Sequence, residues 1–204
     1  MTYLRDITAI YPSQYRPTIC EKVEASDARF YRYILEKRPS KESANDKKLL
    51  ILLSNPQESD LYICNEKMRK IIEFCEASGY NGYCVLSIYP LISSNPANLS
   101  EKLYDKCDAL YNLNLIKSKI KADFSDIWLA YGEYELPKFM VEILVEILNF
   151  AKKSGKNFFT INGKISGLSH FKNGVNQKIE VGELQKFEGL ESEIERLEKI
   201  IKFG

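Results

Sequence analysis

The chain lacks most of what marks a metal-dependent or covalent catalyst. Of its 204 residues only His170 is a histidine. The five cysteines, Cys20, Cys64, Cys75, Cys84 and Cys107, form no Cys-x-x-Cys pair, and their number is odd. That argues against a disulfide framework and against a zinc site, so neither metal nor cofactor is expected. The Gly-x-Gly-x-x-Gly and Gly-x-x-x-x-Gly-Lys-Ser/Thr patterns are missing, so nucleotide hydrolysis of that type has no support. No Gly-x-Ser-x-Gly elbow occurs, and no cysteine has a histidine neighbour in a recognisable frame. Charge of one sign is missing too. Lys plus Arg total 29 and Asp plus Glu 28, a net charge of +1, so a nucleic-acid partner would need a local basic patch. No apolar run is long enough to cross a bilayer. The opening Met-Thr-Tyr-Leu-Arg-Asp lacks the apolar core of a signal peptide, which leads to the expectation of a cytoplasmic protein without a membrane partner.

What is present is ordinary globular material, 45% hydrophobic and 28% charged, enough for one domain over residues 1–204. Arg29 to Leu35 is rich in aromatics and reads as a strand. A polar stretch, 38–48, follows as a loop. Leu49-Leu-Ile-Leu-Leu53 is continuously apolar, the pattern of a strand buried on both faces, and Pro56 should end its pairing. Asn65 to Ser78 places Met68, Ile71, Ile72 and Cys75 on one helical face, with Gly79 as the expected C-cap. Strands are expected at Tyr83–Tyr89, Asp126–Tyr131 and Asn157–Ile161. Helices are expected over Glu101–Lys119, Lys138–Lys153 and about 188–202.

Alternating strands and helices imply parallel pairing with right-handed crossovers. The expected fold is α/β, a three-layer α/β/α sandwich on a mainly parallel sheet of four to five strands. In such sheets ligands sit outside the carboxyl ends of the strands. The segments there are Ser54–Ile63, Pro90–Asn98, Tyr131–Leu136 and Asn162–Asn176.

Within them, Asn55 leaves a buried strand with an amide that both donates and accepts; equally, Asn-Pro is a common turn starter. Asp60 can serve as a general base or simply complement the next helix. His170 is the one group poised for proton transfer near neutral pH, though a lone loop histidine is usually just exposed. Tyr62 and Tyr89 can stack on a base, or fill core and rim. Lys164 and Lys172 flank His170 and can meet phosphate. The last helix covers the core or makes a small self-contact, so a monomer or weak homodimer is expected.

Several blocks in order resemble one family. They are Arg32-Tyr33-Ile-Leu, Leu52-Leu-Ser-Asn-Pro-Gln-Glu-Ser-Asp60, Ser78-Gly-Tyr-Asn-Gly-Tyr-Cys-Val-Leu-Ser-Ile-Tyr89, Asn95-Pro96-Ala-Asn-Leu99, Asn112 and Trp128-Leu-Ala-Tyr-Gly132. Over roughly residues 29–176 these resemble the domain-of-unknown-function 1643 family. That arrangement is similar to the uracil-DNA-glycosylase superfamily. The resemblance implies a DNA-binding hydrolase that cleaves a base–sugar bond on nucleic acid or a nucleoside. Asn55 would position water and His170 would support the departing base; Asp60, from its place in the same loop and not from the resemblance, is the third expected catalytic residue. Ser54, Pro56, Gln57, Tyr62, Ser87, Tyr89 and Lys172 would contact substrate. The alternative is a non-catalytic nucleotide or nucleic-acid binder of the same fold.

Overall fold

The computed structural model describes residues 10–25, 27–39, 46–93, 99–122, 124–132, 135–165 and 184–203. Strands β1 (Ile19–Glu24), β2 (Phe30–Lys37) and β3 (Lys48–Leu53) precede helix α1 (Glu66–Ala77) and strand β4 (Gly82–Ser87). Helix α2 (Lys106–Ala122), β5 (Asp126–Leu129), α3 (Lys138–Lys153), β6 (Asn157–Ile161), β7 (Leu184–Lys186) and α4 (Leu190–Phe203) complete the order. The strands form one sheet in the order β1-β2-β4-β3-β5-β6-β7.

The α/β class is as expected, and the centre of the sheet, β4-β3-β5-β6, is parallel throughout. The sheet is larger and more mixed than four to five mainly parallel strands. On one side β2 runs antiparallel to β4 and β1 antiparallel to β2; on the other, β7 runs antiparallel to β6. These outer strands carry little sequence signal. In β1 the run Ile-Cys-Glu-Lys-Val-Glu has three charges and no fully buried position, and β7 is three residues long. Helices cover both faces. Leu49, Ile51 and Leu53 of β3 pack with Met68, Ile71, Phe74 and Cys75 of α1. Leu50 and Leu52 face the opposite way, into a cluster with Ile116, Leu144 and Leu197 from α2, α3 and α4. The continuous apolar run of β3 reflects this burial on both sides.

Local chemistry sets the helix ends. The Asn65 side chain accepts the Met68 N–H at 2.9 Å and opens α1. Gly79, at φ +71, closes it, with the Tyr80 N–H on the Cys75 carbonyl at 2.8 Å. A side chain at that φ is strained, which is why glycine marks the stop. Helix α2 begins later than the pattern from Glu101 suggests. Asp105 accepts the N–H groups of Cys107 and Asp108 at 2.8 and 3.0 Å and so sets the start, leaving Glu101–Leu103 as a separate 3-10 turn. No helix among the described residues is long and apolar enough to cross a membrane.

Candidate functional site

The loops at the carboxyl edge of the parallel strands are tied to one another. The Asn55 side chain, 2% exposed, donates from Nδ2 to the Pro56 carbonyl at 3.1 Å and to the Ser93 carbonyl at 2.8 Å. The Ser93 N–H returns to the Pro56 carbonyl at 3.1 Å. The loop leaving β3 is thereby stitched to the loop leaving β4. Both amide hydrogens are committed, which fixes the side-chain orientation. Oδ1 accepts the Ser54 hydroxyl at 3.2 Å and retains a second acceptor site.

A second clamp comes from Arg32, which heads the first family-like block but is not among the expected site residues. It is 2% exposed within β2. One terminal nitrogen donates to the Gln57 carbonyl at 3.0 Å, to the Ser59 carbonyl at 2.9 Å and to the Ser59 hydroxyl. Its backbone N–H reaches the Pro90 carbonyl at 2.9 Å. A register irregularity between β1 and β2 at Glu21/Lys22 lies beside it, the kind of irregularity that re-aims a side chain. No carboxylate pairs with Arg32 among the described residues. Burial therefore holds the guanidinium below its usual range, at about 10, so it is still charged at neutral pH. An arginine in the middle of an aromatic and aliphatic strand is the signal the sequence carries.

The other expected residues divide. Ser54, Asn55, Pro56 and Gln57 stand together where β3 ends. Asp60 accepts the N–H groups of Tyr62 and Ile63 at 2.7 and 2.8 Å and so closes a turn. Tyr62 is 68% exposed, with the Arg16 guanidinium over its ring at 4.8 Å. Ser87 is buried, and its carbonyl accepts Asn112 Nδ2 at 2.8 Å. Tyr89 is fully buried. Its hydroxyl donates to the Leu103 carbonyl at 2.8 Å and accepts the Asp105 N–H at 2.7 Å, and its ring packs on Tyr104 and Phe139. His170 and Lys172 lie outside the described residues.

Beside the exit of β5 is a cavity of about 330 Å³. Leu136, Val141, Leu197 and Ile200 make its aliphatic wall, Tyr131 and Gly132 its strand side, and Glu135 and Arg196 its polar margin. Gly132, at φ +86, lets the chain turn away from the strand end where a side chain would be strained. The Arg196 guanidinium meets both oxygens of Glu193 at 2.8 Å, and the Tyr131 hydroxyl donates to the same carboxylate at 2.9 Å. The carboxylate and burial together hold the Tyr131 phenol well above its ordinary range, burial being the larger cause. Sequence order alone does not reveal this cavity, because α3 and α4 meet only through the fold. Among the described residues no cluster of His, Cys, Asp and Glu is arranged to hold a metal.

Residues 32–170 match a family described as "Protein of unknown function (DUF1643)". The matched span takes in β3, β4, β5 and the Asn55 and Arg32 clamps, and it ends before α4. No curated protein and no solved structure matches the chain.

Proposed function

The chain belongs to the DUF1643 family, and on that premise we propose that it binds a nucleoside or nucleotide at the carboxyl edge of the parallel strands, between the exits of β3 and β5. One observation carries this reading. From β3 the chain passes to α1 on one face of the sheet, whereas from the adjacent β5 it passes to α3 on the other. Where neighbouring strands send their connections to opposite faces, the loops part and leave a crevice, and doubly wound sheets bind nucleotides there. The Ala130 N–H on the Leu52 carbonyl at 2.9 Å keeps the two exits side by side. A net charge of +1 suits a single nucleotide better than a long polyanion, whose binding rests on many phosphate contacts. Calorimetry of the full chain against nucleosides, nucleotides and short single-stranded DNA tests it. Saturable binding of a nucleoside or nucleotide is expected; heats indistinguishable from dilution for every ligand overturn it.

A second reading, hydrolysis of the base–sugar bond, is favoured by the fixed orientation of the Asn55 amide. Its Oδ1 accepts only the Ser54 hydroxyl among the described residues, which leaves a lone pair for a water. In that reaction the water oxygen bonds to the anomeric carbon as the bond to the base breaks. The base leaves with the electron pair, supported by His170, and the water's second proton passes to solvent or to the base. Oligonucleotides and nucleosides carrying deaminated or modified bases test it. The expected result is an abasic sugar, with turnover lost in Asn55→Ala. Stabilising binding without product from any base leaves the chain a binder.

A further inference from the structure

The nucleoside reading fixes an edge of the sheet but not a base. The cavity at the exit of β5 goes further. At about 330 Å³ it sits at the low end of small-molecule pockets, roughly 300–1,000 Å³, with room for one ring system and not for a dinucleotide. Its wall is aliphatic on two sides, from α3 (Val141) and α4 (Leu197, Ile200), which suits the flat faces of an aromatic ring. The polar margin is unequal. Arg196 is held by both oxygens of Glu193, and Tyr131 donates to the same carboxylate. Glu135 is different: it lines the cavity, is exposed, and makes no ion pair among the described residues. An ionised carboxylate only accepts, and it accepts best from two parallel N–H groups.

Resting on the nucleoside reading, we infer that this cavity is a base pocket that takes a purine through two adjacent ring-edge donors, the arrangement of the guanine N1–H and 2-amino groups, on the Glu135 carboxylate. Adenine presents a ring acceptor in the middle of that edge and repels the carboxylate there. Hypoxanthine keeps the N1–H and loses the second donor. Three of the lining residues, Arg196, Leu197 and Ile200, belong to α4, beyond the residues 32–170 that match the family. The C-terminal helix thus supplies part of the wall that seats the ring, while the choice of base rests on Glu135, within the matched span.

The test is calorimetry of the full chain with guanosine, inosine and adenosine, on wild type, Glu135→Gln and Ile200→Trp. A matched bidentate pair discriminates by about tenfold or more in affinity, so guanosine is expected to bind at least about tenfold tighter than adenosine, with inosine between. Glu135→Gln, on an exposed side chain, should bring guanosine and adenosine together. Ile200→Trp, which fills the cavity from its rim, should abolish the guanosine heat. Equal affinities in wild type, a preference that survives Glu135→Gln, or guanosine binding untouched by Ile200→Trp each overturn the base pocket and leave the nucleoside reading standing. Absence of binding by all three nucleosides and their 5′-phosphates overturns the base pocket, and absence of binding by the pyrimidine nucleosides and nucleotides as well overturns both.

Discussion

The Asn55 side chain holds the Ser93 carbonyl at 2.8 Å, so a residue at the end of β3 fixes the loop that follows β4. Removing that amide takes a side-chain donor from the Pro56 and Ser93 carbonyls, of which Pro56 keeps the Ser93 N–H. Losing a buried hydrogen bond costs about 1–3 kcal/mol, so Asn55→Ala is expected to lower unfolding free energy by about 1–3 kcal/mol. Urea unfolding followed by circular dichroism checks it. A loss below about 0.5 kcal/mol shows that the stitch is not part of the folded chain in solution.

Glu36 of β2 is 3% exposed and meets Lys119 of α2 at 2.6 Å, with Arg38 at 3.1 Å on its other oxygen. A buried charge stripped of all partners costs about 3–5 kcal/mol; Glu36 without Lys119 keeps Arg38, so the loss should be smaller than that, and replacing both partners is milder still. Lys119→Met alone should therefore destabilise more than Glu36→Gln combined with Lys119→Met. A double-mutant cycle in urea reads the coupling directly, and additive effects would remove the pair from the account.

Two glycines should respond differently to alanine. A Cβ on Gly82 would stand 2.7 Å from Pro39 Cδ and 2.8 Å from the Lys37 carbonyl oxygen, whereas at Gly79 the space is open and only the backbone angle resists. Gly82→Ala is expected to cost several kcal/mol, because backbone has to move. Gly79→Ala should cost about 1 kcal/mol, the penalty of a left-handed residue. Melting temperatures of the two variants, measured side by side, check the order. Equal shifts would contradict it.

Alkaline pH should unfold the chain before its buried phenols ionise. Burial raises the pKa of Tyr83, Tyr89 and Tyr131, and lifts the Cys75 thiol to about 12 and the Cys64 thiol to about 11. In the unfolded chain these groups lose protons near their ordinary values, about 8.5 for cysteine and about 10 for tyrosine. Their contribution is complete below that range and falls as pH rises through it. Arg32 works the other way: its folded value is lowered to about 10, so its neutralisation adds stability above that pH. One group stands against several, so the net slope is downward. Urea midpoints at rising pH should fall above about pH 9, and tyrosinate absorbance of the buried rings should appear only with loss of fold. Full tyrosine ionisation in a chain that is still folded would contradict this.

How far the residues themselves foretell this structure varies with the physics. The buried core of β3 is legible because a strand covered on both faces needs an unbroken apolar run, as in Leu49 to Leu53. The ends of α1 are legible because Asn65 and Gly79 perform their capping chemistry locally. The outer strands β1 and β7 are not. Val23 and the charges around it alternate weakly, and pairing with β2 and β6 is a tertiary event. The site is legible only in part. Ser54, Asn55, Pro56 and Gln57 follow from where an apolar run stops. The burial of Arg32 depends on a loop folding over it, and Tyr89, which its sequence leaves open to stacking or packing, is enclosed by Tyr104 and Phe139. The cavity needs α4 to close on α3, and no local pattern contains that contact.

The most direct test of a nucleoside or nucleotide site is an amide-shift titration of the full, isotope-labelled chain with guanosine 5′-monophosphate. Saturable shifts concentrated at Ser54, Asn55 and Gln57 and at Ala130, Tyr131 and Gly132 are the predicted result. No shifts at saturating ligand, or shifts gathered at the opposite edge around Lys48, Gly82 and Asp126, would contradict it.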